Sequence, residues 1–271
     1  MNTYSLQRHF GRMGAALRVE VRSTGERLAT WTYALDIETK RATECYSLVV
    51  NEAALDMLDI LPVNARPDLR HLLLVVRMQT DRGRHQKTKL LCGHDERHWF
   101  VAAVNSPGVT TVADALDALK PPAVLRRQRQ RGVRVRNWHK RRNAGFVRQG
   151  EWFFVPKPHY TVREPLLILG NEPLRRPHGK PHWVGQVYRQ GGQSYYVCAE
   201  YPAGLTEAQY RRLLWTQPER GRLGWRLMRA NSRVMARGTV RHPDHQTIHL
   251  PHWHEVHINN EITDGNVRYF D

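Results

Sequence analysis

Hydrophobic and polar positions alternate along much of the first part of the chain, as they do in strands with one buried face. Four segments show this alternation or a short continuous apolar run: 16–22, 33–38, 45–50 and 70–78. Residues 87–104 hold two such runs on either side of 93–95, which predicts a hairpin with its turn there. Strands therefore dominate the prediction for this part of the chain.

Apolar residues spaced by three and four positions predict three helices. These helices cover 51–61, 110–120 and 205–215. The third has the clearest start, because Thr206 can cap it and Gln209 follows three positions later, as in a capping box. Helices are thus few, and they are interspersed among strands.

Strand patterns continue in the rest of the chain. Residues 151–156 are an aromatic strand, and 182–201 contain two alternating runs joined by Gln190, Gly191 and Gly192, which predicts a second hairpin. Together the patterns predict an α+β fold, made mainly of antiparallel sheet and hairpins with a few amphipathic helices.

Charge is distributed unevenly along the chain. The 271 residues carry 42 Lys and Arg against 25 Asp and Glu, a formal net charge of +17, and 11 of the cations lie in 118–150, where there is no acidic residue. This change in composition predicts two subdomains joined by a basic tract. They are an N-terminal α+β domain at 1–120, an Arg-rich linker or arm at 121–150 and a C-terminal β-rich α+β domain at 151–271.

The basic tract is rich in arginine, with nine Arg and one Lys across 126–148. A guanidinium donates two parallel hydrogen bonds to a phosphate and can stack on a base, so arginine favours nucleic acid. A solvated linker that contacts nothing is the alternative. The predicted nucleic-acid-binding residues of the tract, with Trp138 as a base-stacking residue, are Arg126, Arg127, Arg129, Arg131, Arg134, Arg136, Trp138, Lys140, Arg141 and Arg142.

Two further segments concentrate positive charge. On a helix over 224–238, arginines spaced three and four apart would share one stripe, although the later part of this segment also alternates like a strand. A Pro-rich loop at 175–183 adds cations on a rigid connection. Ordinary surface exposure is the alternative for both segments. The candidate phosphate contacts are Arg226, Arg229, Arg233, Arg175, Arg176 and Lys180.

Six histidines lie in 242–257. A Pro-Asp turn predicts that 234–242 and 246–250 form a hairpin, followed by a strand at 253–258. Neutral imidazoles at a turn, or at alternate positions of a strand, can share a zinc or manganese ion. Hydrogen-bonding histidines on a sheet surface are the alternative. The candidate metal ligands are His242, His245, His252 and His254.

The turn of the first hairpin combines carboxylates with imidazoles. A metal-dependent phosphodiesterase uses these residue types, here His94, Asp95, Glu96 and His98. The same residues are typical of a polar turn. The sequence therefore assigns no catalytic residue.

Several classes of protein are excluded by other features. An apolar fraction of 41% indicates a packed core rather than disorder. Apolar runs are too short to cross a membrane and the N-terminal segment has no secretory pattern, so we expect a cytoplasmic protein without a membrane partner. The three cysteines lack zinc-ribbon spacing, and the motifs of nucleotide-binding loops and nucleophile elbows do not occur.

These observations predict a nucleic-acid-binding protein without catalysis, and with it protein partners in a nucleoprotein assembly. RNA or single strands are favoured over duplex DNA, because arginine and aromatic side chains suit stacking. One alternative is a metal-dependent nuclease that uses the His-rich C-terminal hairpins with zinc or manganese as cofactor. Another is an interaction protein that binds an acidic protein.

Overall fold

The computed structural model describes residues 2–23, 32–40, 43–79, 85–104, 106–176, 180–230 and 232–261. Within these ranges the chain forms four α-helices and 16 strands in mostly antiparallel sheets, so the predicted α+β class is confirmed in outline, with more sheet than helix. None of the helices there is long and apolar enough to cross a membrane. The helices are α1 (Thr3–Arg12), α2 (Val112–Ala118), α3 (Pro122–Gln130) and α4 (Glu207–Thr216).

The first part of the chain forms two sheets. Its strands are β1 (Leu17–Arg22), β2 (Tyr33–Lys40), β3 (Thr43–Asn51), β4 (Leu58–Arg66), β5 (His71–Gln79), β6 (His85–Asp95) and β7 (His98–Val104). One sheet has the order β1-β3-β2, with β1 parallel to β3. The other is an antiparallel meander in the order β4-β5-β6-β7.

The meander is buried on both faces, because β5 is apolar along most of its length. Leu72 and Leu74 lie in one buried cluster with Leu6 and Phe10 of α1 and with the three-stranded sheet. Leu73 lies on the opposite face, in a cluster with α2, as the alternation of a strand requires. The meander therefore lies between two layers, which support its β6–β7 hairpin.

The rest of the chain forms a six-stranded antiparallel sheet and a small three-stranded one. The strands are β8 (Val147–Gln149), β9 (Trp152–Pro156), β10 (Leu169–Leu174), β11 (His182–Gln190), β12 (Gln193–Cys198), β13 (Tyr201–Leu205), β14 (Arg226–Ala230), β15 (Arg233–Arg241) and β16 (Ile248–Ile258). The larger sheet has the order β10-β11-β15-β16-β9-β8, and the smaller has the order β13-β12-β14.

Each buried apolar cluster of the described residues takes its members from one part of the chain. Two clusters lie within 6–119 and three within 124–256. In the second part, Val124 of α3 packs on Phe153 and Val155 of β9, so the start of the basic tract is anchored to the six-stranded sheet. The division into two subdomains around the tract stays a prediction.

Several predicted elements are confirmed by the structure. The helices at 110–120 and 205–215 form as α2 and α4, and the side chains of Thr206 and Gln209 make the reciprocal bonds of a capping box. The hairpin at 87–104 forms as β6 and β7. Its turn lies two residues later than predicted, because Asp95 pairs with His98.

The helix predicted at 51–61 is wrong. Only a single turn of 3-10 helix forms at Glu52–Ala54, and β4 then runs through Pro62. β4 is the edge of the meander, so the missing N–H of proline removes no bond to a further strand. Burial of Leu58 and Ile60 beside β5 fixes the extended conformation.

A predicted hairpin and a predicted helix in the rest of the chain are also wrong. The runs in 182–201 form β11 and β12, but these strands belong to different sheets instead of one hairpin. The helix over 224–238 does not form, and the strand alternative for the later part of this segment is confirmed as β15. β15 pairs on both sides, with β11 and β16, and buries Met235 and Ala236. The predicted pairing of 234–242 with 246–250 is confirmed, but 246–250 and 253–258 belong to one strand, β16.

Tyr46 links the two sheets of the first part of the chain. Its ring is fully buried between Phe10 and Trp99. Its hydroxyl donates toward the carbonyl oxygens of Gly93 and Phe100, at 3.1 and 3.0 Å. These two carbonyls flank the β6–β7 turn, so the bond fixes the base of the hairpin.

Replacing this hydroxyl tests its contribution to stability. We expect Tyr46→Phe to lower the free energy of unfolding by about 1–2 kcal/mol, because a buried hydrogen bond is lost without a replacement. Urea denaturation measures the difference. The matched change Tyr4→Phe, at a side chain that is 78% exposed, should cost less than about 0.5 kcal/mol. Equal effects of the two changes would contradict the assigned role.

Candidate functional site

A cavity of about 740 Å³ lies beside the β6–β7 hairpin. Its wall includes three segments that are distant in the sequence, namely the hairpin turn, the second part of the basic tract, and the turn between β15 and β16, and residues of β5, α2 and β9 also line it. The charged and imidazole side chains from these three segments are His94, Asp95, Glu96, His98, Arg136, His139, Lys140, Arg141, Arg148, Asp244 and His245. The structure thus brings the predicted turn cluster, part of the predicted cationic set and one predicted metal ligand to one place.

Two carboxylates of the hairpin turn bind arginines of the tract. Asp95 lies 2.7 Å from Arg148 and 3.4 Å from Arg141. Glu96 forms an ion pair with Arg141 as well. Both carboxylates are largely buried, so these pairs are screened by water less than surface pairs are. The tract, which has no acid of its own, is neutralised here by the preceding hairpin.

Glu96 makes further contacts across the cavity. The backbone N–H of Gln246 donates to its carboxylate, and Nδ1 of His245 lies 3.8 Å from the same oxygen. The backbone of Glu96 is left-handed, with φ of 54°, which is uncommon for a residue with a side chain. Its contacts on two other segments fix this conformation and connect the hairpin turn to the β15–β16 turn.

The histidines of the hairpin turn are engaged by their own part of the fold. Nδ1 of His98 contacts the carboxylate of Glu44, which also accepts the backbone N–H of Trp99 at 2.9 Å. The ring of His94 packs edge-on against Trp99. Burial, and then the charge of Arg70, lower the pKa of His94. Through these contacts His94 and His98 help to stabilise the hairpin.

The basic tract is ordered into α3, a single turn of 3-10 helix at Val135–Asn137, and β8. Seven of its cations are exposed and have no ion pair with any acidic residue in the part of the chain that the structure describes. We call this group the cationic surface: Arg126, Arg129, Arg131, Arg134, Arg136, Lys140 and Arg142. Among the other predicted members, Arg127 is half-buried and Arg141 is paired with both carboxylates of the hairpin turn.

Trp138, the predicted stacking residue, is half-buried. Its indole N–H donates to the carboxylate of Asp117, at 2.8 Å to the nearer oxygen. The ammonium of Lys120 lies 5.1 Å from the centre of its ring, and its carbonyl accepts bonds from Lys120 and Gln128. These contacts hold the segment around Trp138 against α2 and α3. Base stacking by Trp138 stays a prediction.

The other predicted phosphate contacts are scattered. Arg175 is exposed, whereas Arg176 lies 3.1 Å from Glu261 and Lys180 lies 2.9 Å from Asp244. Part of their loop, 177–179, lies outside the described residues. Arg226 and Arg229 are exposed on β14, where an odd spacing places them on opposite faces. Arg233 pairs with Glu255 at 3.1 Å.

Three histidines meet beside the cavity. His182 begins β11, while His242 and His245 flank the turn between β15 and β16. One ring nitrogen from each lies within 4.8 Å of the others, and the rings of His182 and His242 stack at 4.2 Å between centres. We call this group the histidine cluster. Burial, followed by the neighbouring His242 and His245, lowers the pKa of His182 to about 2.

The remaining two candidate ligands, His252 and His254, lie together on β16. Their rings stack with 4.6 Å between centres, and Nδ1 of His254 bonds to the carbonyl oxygen of His252 at 2.7 Å. Neither belongs to the histidine cluster. Burial lowers the pKa of His254 to about 4, although its bond to the carbonyl acts in the opposite direction.

The histidine cluster contains one residue that the sequence prediction omits. His182 is 60 positions before His242, and no ligand spacing links them. Only the pairing of β11 with β15 brings the two together. Comparisons of the chain with protein-family models, with curated proteins and with solved structures found no match.

The ion pairs at the hairpin turn give a direct test of the connection. We expect Asp95→Asn to lower the free energy of unfolding by about 1–3 kcal/mol, because Arg148 loses its carboxylate in a half-buried setting. Chemical denaturation measures this. Asp68→Asn, which breaks an exposed pair with Arg66, is the matched control and should have a much smaller effect. Equal losses would argue against the connection.

The low pKa of His254 predicts a loss of stability in acid. The unfolded chain takes up a proton on this imidazole near pH 6.5, whereas the folded chain takes it up only near pH 4. The neutral ring of His254 therefore makes its full contribution to the free energy of unfolding above pH 6.5, and this contribution decreases as the pH falls. Between pH 7 and pH 5 the free energy of unfolding should drop by about 2 kcal/mol less in His254→Gln than in the unchanged protein. The same drop in both proteins would refute this.

Proposed function

We propose that this protein binds nucleic acid through the phosphate backbone, with the cationic surface as its main contact. The single observation that carries the proposal is that seven exposed cations within 126–142 have no acidic partner among the described residues. Like charges at this density repel one another, and a polyanion relieves that repulsion while releasing its counterions.

The ordering of the tract supports this proposal. Trp138 and Val124 fix the segment to the rest of the fold, so its arginines lie on a defined surface. A preformed surface loses less conformational entropy on binding than a free arm does. Exposed cations of the supporting set, such as Arg175 and Arg226, add positive charge outside the tract.

RNA or single-stranded nucleic acid fits this surface better than duplex DNA. Guanidinium groups can stack on unpaired bases and donate to phosphates at the same time. Val135 is 90% exposed between Arg134 and Arg136 and offers an apolar contact to a base. Membership of a nucleoprotein assembly, with protein partners, is part of the same proposal.

Binding is favoured over cleavage by the state of the nearby carboxylates. In a metal-dependent nuclease, carboxylates beside the substrate bind metal or accept a proton. Here Asp95 and Glu96 are engaged by Arg141 and Arg148. The same residues therefore serve better as structural anions than as catalytic groups.

The first test is the binding of fluorescent single-stranded RNA, single-stranded DNA and duplex DNA, in EDTA, over a series of salt concentrations. We expect submicromolar binding at low salt, strongest for a single strand, with a steep decline as salt is raised. Absence of binding at low salt would reject the proposal. The positive charge would then be assigned to an acidic protein partner.

A charge-removal variant locates the contact. Arg129→Gln, Arg134→Gln and Arg136→Gln in one chain should lower the slope of log affinity against log salt by about 2, since each phosphate contact on a single strand contributes about 0.7. A control with the same charge change, Arg8→Gln, Arg12→Gln and Arg211→Gln, alters exposed arginines on α1 and α4 and should leave most of the slope. Equal slopes in the two variants would place the contact elsewhere.

A further inference from the structure

We propose that His182, His242 and His245 bind one zinc ion at the edge of the cavity. This inference is independent of nucleic-acid binding, because it uses different residues. It differs from the sequence prediction in its ligand set, since it adds His182 and leaves out His252 and His254.

The environment of His182 favours a bound ligand. Its side chain is fully buried, and neither ring nitrogen has a hydrogen-bond partner among the described residues. Burying a polar group without a partner is costly, and a metal ion bound to one of these nitrogens would remove part of that cost. An apolar side chain would fill the same space without it. The imidazole is therefore better explained by a ligand than by packing.

Gly150 leaves space beside the rings of the histidine cluster. Gly150 has a left-handed backbone, with φ of 55°. A Cβ atom at this position would lie 2.8 Å from Nε2 of His245 and 3.1 Å from Nε2 of His182. Glycine therefore keeps open a space that two ligand nitrogens face. Because Gly150 and His245 also line the cavity, this space adjoins it.

The chemistry of the three ligands favours zinc. Neutral imidazoles suit zinc, whereas manganese prefers oxygen ligands. Zinc–nitrogen distances of 2.0–2.1 Å imply ligand atoms about 3.3 Å apart in a tetrahedral site. The nitrogens here lie within 4.8 Å of one another. Because the rings are stacked nearly parallel, they have to rotate before all three can bind one ion.

Three protein ligands leave one zinc position for a small molecule, as in catalytic rather than structural zinc sites. The adjoining cavity gives access to that position. The carboxylate of Glu96 lies 3.8 Å from Nδ1 of His245, so it can orient a ligand imidazole from behind. The site therefore takes zinc together with water or an anionic ligand from the cavity.

The test is zinc binding by the full chain, prepared without a metal-chelating tag and stripped with EDTA. After equilibrium dialysis against Zn²⁺, bound metal is measured by mass spectrometry. We expect one equivalent per chain and a rise in the melting temperature when Zn²⁺ is added. His182→Gln should weaken binding by at least about 100-fold, because it removes a direct ligand. His252→Gln should bind as the unchanged protein does.

A pair of glycine variants keeps the test decisive if loss of a histidine disturbs folding. Gly150→Ala fills the space beside the rings. A Cβ atom at Gly191 would have nothing within 4 Å, and the backbone there has a similar φ of 66°. Gly191→Ala therefore reproduces the backbone strain alone. Zinc binding should be lost in the first and kept in the second.

Three results would overturn the proposal: less than one equivalent of zinc in the unchanged protein, full binding by His182→Gln or Gly150→Ala, or loss of binding in His252→Gln. Since nucleic-acid binding is measured in EDTA, a failure of either proposal can be distinguished from a failure of the other.

Discussion

The pairing of Asp95 and Glu96 with Arg141 and Arg148 is the interaction on which the arrangement of this molecule depends. The basic tract has no acidic residue, so any acid that pairs with its arginines comes from another segment. The β6–β7 hairpin supplies two carboxylates, and Glu96 also accepts the backbone N–H of Gln246. One turn thus joins the hairpin, the tract and the β15–β16 turn, and the cavity lies where they meet.

The reach of these carboxylates also determines which cations stay exposed. They neutralise arginines in the later part of the tract, near β8. Trp138 is fixed by Asp117 and Lys120 through hydrogen bonds that leave the neighbouring arginines outside. The cationic surface consists of the cations of the tract that are engaged neither by these carboxylates nor by the contacts around Trp138. Structural order and available charge therefore occur together in one segment, which is the combination that a phosphate-binding surface needs.

The sequence predicts elements well where local pattern decides them, and poorly where distant pairing does. Alternation identifies β1 and β2, an aromatic run identifies β9, and the capping box identifies α4. The patterns at 51–61 and 224–238 suit helices, but burial beside β5 and pairing on both sides of β15 override them. The site shows the same limit. His242 and His245 are neighbours in sequence, whereas His182 joins them only through the register of two strands.

The position of β16 has a consequence for how the chain reaches this state. β16 lies between β15 and β9 in the six-stranded sheet, and its partner β9 precedes it by about one hundred residues. Until β16 has been synthesised and inserted, β9 and β15 are open edges, which can pair with other chains. Contacts so distant in sequence form slowly. During synthesis the tract is therefore exposed well before the sheet that anchors it is complete, and protection from aggregation then rests on its charge repulsion.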